Sequence, residues 1–312
     1  MVKWRKLIML EINFLGIKFP NPLVMPSGIL QEVSAHYLAE KNGLGGVTTK
    51  SMTVEPREGN PLPRVVKYEH GILNSVGLRN PGIKAGAVEW AKFIRETKIP
   101  VICSVFAVSV KDFVYLAMEA EKIKPAMIEL NLSCPNTVNE LGQPLGMGAE
   151  STAAAVKAVR QALKKETKIL AKLSPNVNNI GEVAKAAEAA GADAITAINT
   201  VGPGMVIDIK RRKPLLGNLV GGVSGPGIRP IALRCVWDIY KAVKIPILGM
   251  GGVETANDVV EMMLAGATLV GVGSAWYRHG FGVYEKIKAD LLKYMKDNQI
   301  KNLSELVGGA HG

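Results

Sequence analysis

The sequence predicts a (β/α)8 barrel of the TIM type, and three observations carry that prediction. Eight short apolar runs alternate with longer amphipathic runs along the 312 residues. The apolar runs are hydrophobic on both faces, as parallel strands buried between layers are. The first of them ends in Pro26-Ser27-Gly28 and not in the GxGxxG turn that an open doubly wound sheet places there.

The N-terminal stretch is basic, then apolar. Glu11 and Asn13 interrupt it and no small-residue cleavage site follows, so it reads as the opening strand of a hairpin and not as a signal peptide. Barrel strands are expected at 23–27, 46–50, 101–106, 126–131, 169–173, 194–199, 247–250 and 268–273. Helical spacing occupies 82–97, 111–122, 149–166, 179–190, 230–243 and 255–265. Several of these runs stop at a glycine, as in Ala190-Gly191-Ala192 and Ala265-Gly266-Ala267. Three connections are long for a compact domain, at 51–78, 134–148 and 200–227, and all fall on the C-terminal face of the predicted barrel. The middle one carries Gly142, Gly146 and Gly148 and is expected to move as a lid. With no internal repeat, residues 1–312 read as one domain.

Composition narrows the class. A 48% hydrophobic chain with 33 glycines fits a soluble α/β enzyme with many tight strand-to-helix turns. No apolar stretch approaches the roughly 20 residues of a membrane span. Cys103, Cys134 and Cys235 form neither a disulfide framework nor a CxxC pair, which points to the cytoplasm and to no metal or iron–sulfur cluster in this chain. The net charge of +11 is spread along the chain, and with aromatics at only 5% a single-strand nucleic-acid reading is weak. A solvated surface that attracts anionic ligands is the better reading.

The strand ends supply the chemistry. The run Asn131-Leu132-Ser133-Cys134-Pro135-Asn136 puts a thiol and two amides where strand four stops. Amides suit a planar heterocycle with alternating N–H and C=O groups. A thiol beside them acts as a base once its pKa is lowered. Lys50 and Lys172 close strands two and five, and a cation in a barrel mouth is costly without a negative partner. Few acidic residues share these strand ends, Glu129 being the nearest, so an anionic ligand is the more economical partner. The glycine pair Gly251-Gly252 and the turn Gly273-Ser274, late in the chain, let backbone N–H groups approach a phosphate.

On these residues the chain resembles the dihydroorotate dehydrogenases. The matching segments are NSVGLRN (74–80), ELNLSCPN (129–136), KLSPN (172–176), Asn199-Thr200, Ser224-Gly225-Pro226, GMGG (249–252) and GVGS (271–274), in family order over nearly the whole chain. NLSCPN alone is shared with the dihydropyrimidine dehydrogenases, whose larger chains bring cluster-binding domains; NSVGL with the later segments favours the dihydroorotate reading. A non-catalytic flavoprotein subunit would leave Cys134 and the asparagines without a purpose.

The resemblance implies an FMN-binding barrel that oxidises dihydroorotate to orotate in pyrimidine synthesis. Cys134 then matches the general base that takes the carbon 5 proton while a hydride leaves carbon 6 for FMN. Lys172 matches the lysine beside the flavin ring, and Lys50 the lysine that serves both flavin and substrate. Asn74, Asn131 and Asn199, with Thr200, match the groups on the pyrimidine edge. In Asn74-Ser75-Val76-Gly77-Leu78 the N–H groups near Gly77 and Leu78 match the carboxylate site. Ser27, Ser51, Ile198, Gly225, Gly251, Gly252, Gly273 and Ser274 match flavin-binding positions, as does Asn131. Ser104 stands where related chains often have asparagine, and its hydroxyl is expected to reach the flavin directly or through water.

The cysteine base separates this chain from the membrane-associated type, which uses serine and has an N-terminal amphipathic extension. The chain looks most like class 1B. That implies a homodimer within a heterotetramer whose second subunit carries FAD and a 2Fe–2S cluster and reduces NAD. The fumarate-linked class 1A is the alternative. Cys103 and Cys235 read as buried small hydrophobes. His36, His70, His279 and His311 read as structural or solvated, Met262 and Met263 as helix core, and Lys210-Arg211-Arg212-Lys213 as surface charge or loop anchoring.

Overall fold

A computed structural model describes residues 9–133 and 148–312. The chain opens with the hairpin that Glu11 and Asn13 suggested. Its strands β1 (Ile12–Phe14) and β2 (Ile17–Phe19) pair antiparallel, with Phe14 and Phe19 turned into the core.

Next come β3 (Leu23–Met25), α1 (Val33–Lys41) and β4 (Gly46–Thr48). The first long connection holds β5 (Val65–Tyr68) and β6 (Gly71–Asn74), followed by α2 (Gly82–Glu96), β7 (Val101–Val105) and α3 (Val110–Lys122). Then follow β8 (Met127–Asn131), α4 (Ala149–Ala162), β9 (Ile169–Lys172), α5 (Ile180–Ala189) and β10 (Ala194–Ala197). The third long connection holds β11 (Val201–Gly204), β12 (Ile207–Asp208), β13 (Lys213–Pro214) and β14 (Gly221–Ser224). The chain finishes with α6 (Arg229–Ala242), β15 (Ile247–Met250), α7 (Ala256–Leu264), β16 (Leu269–Gly271), α8 (Ser274–His279) and α9 (Gly282–Asp297).

Eight of these strands form the closed barrel β3-β4-β7-β8-β9-β10-β15-β16, parallel at every pairing. This is the (β/α)8 architecture the alternating pattern predicts. The helices bury the expected stripes: α2 turns Ile83, Gly86, Trp90 and Phe93 inward. Side chains cap the N-termini of three of these helices. Ser109 accepts from the Asp112 N–H at α3, Asn179 accepts from Glu182 at α5, and Thr255 and Asp258 form a reciprocal box at α7. No helix among the described residues is long and apolar enough to cross a membrane.

The long connections differ from expectation. Two of the three read as loops, yet they pair with each other in a four-stranded antiparallel sheet, β11-β14-β6-β5. Its short strands are rich in glycine and proline, which hides them from a period-two search. Residues 134–147, which hold Cys134 and most of the expected lid, lie outside the described residues.

Candidate active site

The site is built on the C-terminal ends of the barrel strands. Parallel register places Asn131 of β8 beside Lys172 of β9, and Lys172 beside Thr196 of β10. One layer lower, Ser104 of β7 pairs with Glu129 of β8. Side chains alternate along a strand, so Glu129 and Asn131 share the inner face. Lys172, 4% exposed, donates from Nζ to Ser27 Oγ at 3.1 Å. Lys50 is 8% exposed at the end of β4.

A cleft of about 490 Å³, counted to its open mouth, lies between Lys172 and the late glycine turns. Nine of the sequence-predicted residues line it: Ser27, Lys172, Ile198, Asn199, Thr200, Gly251, Gly252, Gly273 and Ser274. Gly252 requires its lack of a side chain. At φ +75° its Cβ would lie 2.8 Å from both Arg229 Cβ and the Gly225 carbonyl, so Gly225 closes this turn from behind.

A second group meets in one hydrogen-bonded array. The Thr200 N–H donates to Asn199 Oδ1 at 2.8 Å, and Asn199 Nδ2 donates to Ser133 Oγ at 2.6 Å. Ser133 Oγ donates to Asn131 Oδ1 at 3.0 Å, and Asn131 Nδ2 donates to Ser51 Oγ at 3.1 Å. Ser51 and Ser104 hydroxyls are 2.9 Å apart, and Ser104 Oγ donates to Glu129 Oε1 at 3.0 Å. Ser104 is fully buried, and neither it nor Ser51 lines the cleft.

The antiparallel sheet delivers the remaining residues. Asn74, at the end of β6, stands opposite Gly222 of β14 and donates from Nδ2 to the Gly222 carbonyl at 3.2 Å. Asn60 supports the turn after it. Its Nδ2 donates to Ser75 Oγ at 2.8 Å and to the Ser75 carbonyl at 3.2 Å, and its N–H to the Val76 carbonyl at 3.1 Å. Gly77 and Leu78 both have positive φ, +73° and +57°, which bends the backbone into a tight concave turn.

Three residues that hold these groups, Ser133, Glu129 and Asn60, do not stand among the site residues expected from the sequence. Ser133 sits inside the NLSCPN run, and Glu129 is the one charged residue in an apolar strand, two positions before Asn131. Either feature is a usable signal. Asn60 has none, because its partners are 15 and 16 residues away in a sheet that periodicity does not show.

The readings of the other residues follow their burial. Burial pushes the Cys103 thiol up to about 12 and Cys235 up to about 11, with nearby Asp238 adding to the Cys235 shift. His36 is buried against Trp90 and Phe93, and burial lowers its pKa to about 4. Met262 and Met263 are core, His70 and His279 are exposed, and His311 stacks on Trp237. Lys210 to Lys213 lie exposed on the surface.

Comparison with known proteins decides the family. The dihydroorotate dehydrogenase family model matches residues 9–295. The chain belongs to the dihydroorotate dehydrogenase family. It is 41% identical over 302 residues to a Pyrococcus abyssi protein named dihydroorotate dehydrogenase B (NAD(+)), catalytic subunit, covering 96% of this chain and 98% of that one. Proteins of the same name show 42% identity over 299 residues in Desulforudis audaxviator (95% of each chain) and 40% over 304 residues in Methanothermobacter thermautotrophicus (97% of this chain, 99% of that one). Membership of the dihydroorotate dehydrogenase family makes the chain an oxidoreductase, and the long, sheet-forming connections over its barrel mouth carry the NSVGL turn and Thr200.

Proposed function

We propose that this chain is the catalytic subunit of a B-type dihydroorotate dehydrogenase. It oxidises (S)-dihydroorotate to orotate for pyrimidine synthesis, holds FMN, and passes electrons to NAD through a partner subunit carrying FAD and a 2Fe–2S cluster. One observation carries the reading: a buried lysine on the wall of a cleft, next in register to an asparagine that is hydrogen-bonded to a second asparagine through one serine.

The donor set fits FMN. Ile198 and Ile29 offer apolar cover for a ring, Lys172 offers a cation beside it, and the turns at Gly251-Gly252 and Gly273-Ser274 offer backbone at close range for a phosphate. When bound, FMN would take the hydride from carbon 6. Lys172 would favour negative charge gathering in its neighbourhood. Asn131 and Asn199, with Asn74 from the sheet, would orient the pyrimidine, and Lys50 would serve both ligands. The turn at 77–78, braced by Asn60, would hold the carboxylate. Cys134, outside the described residues, is assigned from its sequence context as the base that takes the carbon 5 proton, leaving a carbon 5–carbon 6 double bond.

The test uses FMN-loaded protein, dihydroorotate and an artificial electron acceptor, with orotate as the measured product. Turnover is expected, and Cys134→Ala should abolish it with flavin still bound. NAD should be reduced only when the cluster-bearing partner is added. A wild-type chain that forms no orotate would refute the assignment; rapid NAD reduction, or turnover with fumarate, by the chain alone would refute the B-type reading.

A further inference from the structure

We propose that Glu129 is a positioning residue whose carboxylate, as the terminal acceptor of a one-way hydrogen-bond chain, fixes the amide orientation of Asn131. The inference rests on the function proposed above, because it assigns these amides to the pyrimidine.

The number of protons each group can give sets the direction of the chain. At the upper end a backbone N–H, which can only donate, points at Asn199 Oδ1. The Asn199 amide nitrogen therefore faces Ser133. A hydroxyl has a single proton. Ser133, already receiving one from Asn199, gives its own to Asn131 Oδ1. That turns the Asn131 amide nitrogen toward Ser51. Ser51 in turn gives its proton to Ser104, because Ser104 has committed its own to Glu129 Oε1. Every link is satisfied in this one direction.

Glu129 holds the lower end. It is fully buried, and its other oxygen has no partner among the described residues, so Ser104 is its one hydrogen-bond donor there. Without an acceptor at position 129, the Ser104 proton turns back toward Ser51. Ser51 then gives its proton to Asn131, which is satisfied only if that amide flips. A flipped Asn131 presents a donor where the pyrimidine needs an acceptor, and the reverse. Two orientations compete, and only one binds. The effect reaches the substrate through two serines that Glu129 positions; its carboxylate touches neither substrate nor cofactor.

The test compares Glu129→Gln with Glu129→Met in FMN-loaded protein. Glutamine keeps an acceptor oxygen and loses the charge, whereas methionine keeps the volume and loses the acceptor. Calorimetric titration gives the orotate Kd, steady-state kinetics give KM and kcat for dihydroorotate, and flavin absorbance and thermal unfolding check loading and folding. The Met variant is expected to raise Kd and KM about tenfold or more with kcat changed less than about threefold, as loss of a buried polar match does. The Gln variant should return both to within about threefold of wild type. Wild-type affinity in the Met variant, or equal loss in both, would overturn the inference. If Glu129→Met fails to fold, the pair Glu129→Met/Ser104→Ala leaves neither partner unmatched. It is expected to show the same tenfold loss, and wild-type affinity there would also overturn it. Wild-type protein that binds no orotate would sink the proposed function and this inference together.

Discussion

Replacing Lys172 with methionine separates a lysine kept for a ligand from one kept for the fold. The side chain is 4% exposed, and the hydrogen bond to Ser27 Oγ at 3.1 Å is its one side-chain partner among the described residues. The nearest acid in register, Glu129, lies a layer below with its carboxylate engaged by Ser104. Taking a cation out of water carries a desolvation penalty, and among the described residues one neutral hydroxyl acts against it. Methionine removes that penalty and the hydrogen bond, worth about 1.5–3 kcal/mol for a charged donor. The net effect on unfolding of flavin-free protein should lie between zero and a gain of about 2 kcal/mol. FMN loses the same charge-assisted contact, so its Kd should rise roughly 10- to 150-fold. Urea unfolding of flavin-free protein and fluorescence titration with FMN measure the two quantities. A loss of more than about 3 kcal/mol in the flavin-free variant would mean that Lys172 neutralises a structural charge, as breaking a buried pair does. Unchanged FMN affinity would refute its place beside the flavin.

Other predictions follow from single residues. Burial that raises Cys103 to about 12 and Cys235 to about 11 should protect both from iodoacetamide in native protein at neutral pH, and peptide mapping should find the label on Cys134. His36, lowered by burial from 6.5 to about 4, contributes stability that is fully present above pH 6.5 and is lost as pH falls toward 4. Between pH 7 and 5 the loss should be about 2 kcal/mol. Denaturant midpoints of wild type and His36→Leu should show that pH dependence only in the wild type. Gly77→Ala would put a Cβ 2.6 Å from the Asn60 nitrogen at φ +73°, so dihydroorotate KM should rise at least tenfold with FMN content unchanged; an unchanged KM would remove this turn from the substrate site.

The barrel was legible because its strands are short, apolar on both faces and separated by periodic helices. Its strand-end chemistry was legible for the same reason: where a strand must stop, a polar residue such as Lys172 or Asn131 stands out against the apolar run. The sheet made from two long connections was not, since Gly71, Gly204, Gly221 and Pro203 break any two-residue pattern. With it went Asn60, whose role exists only once β5 and β6 fold back. Ser104 shows what resemblance does not supply. Its hydrogen bonds to Ser51 and Glu129 became visible only once the strands paired, because register sets Ser104 opposite Glu129.

The central claim is that this one chain carries the whole site for removing two hydrogens from dihydroorotate. Anaerobic titration of FMN-loaded protein with dihydroorotate tests it most directly. The account predicts that the visible flavin absorbance bleaches in proportion to substrate added, with one orotate formed per flavin reduced and no partner subunit present. Flavin that stays oxidised in the presence of excess dihydroorotate would contradict it.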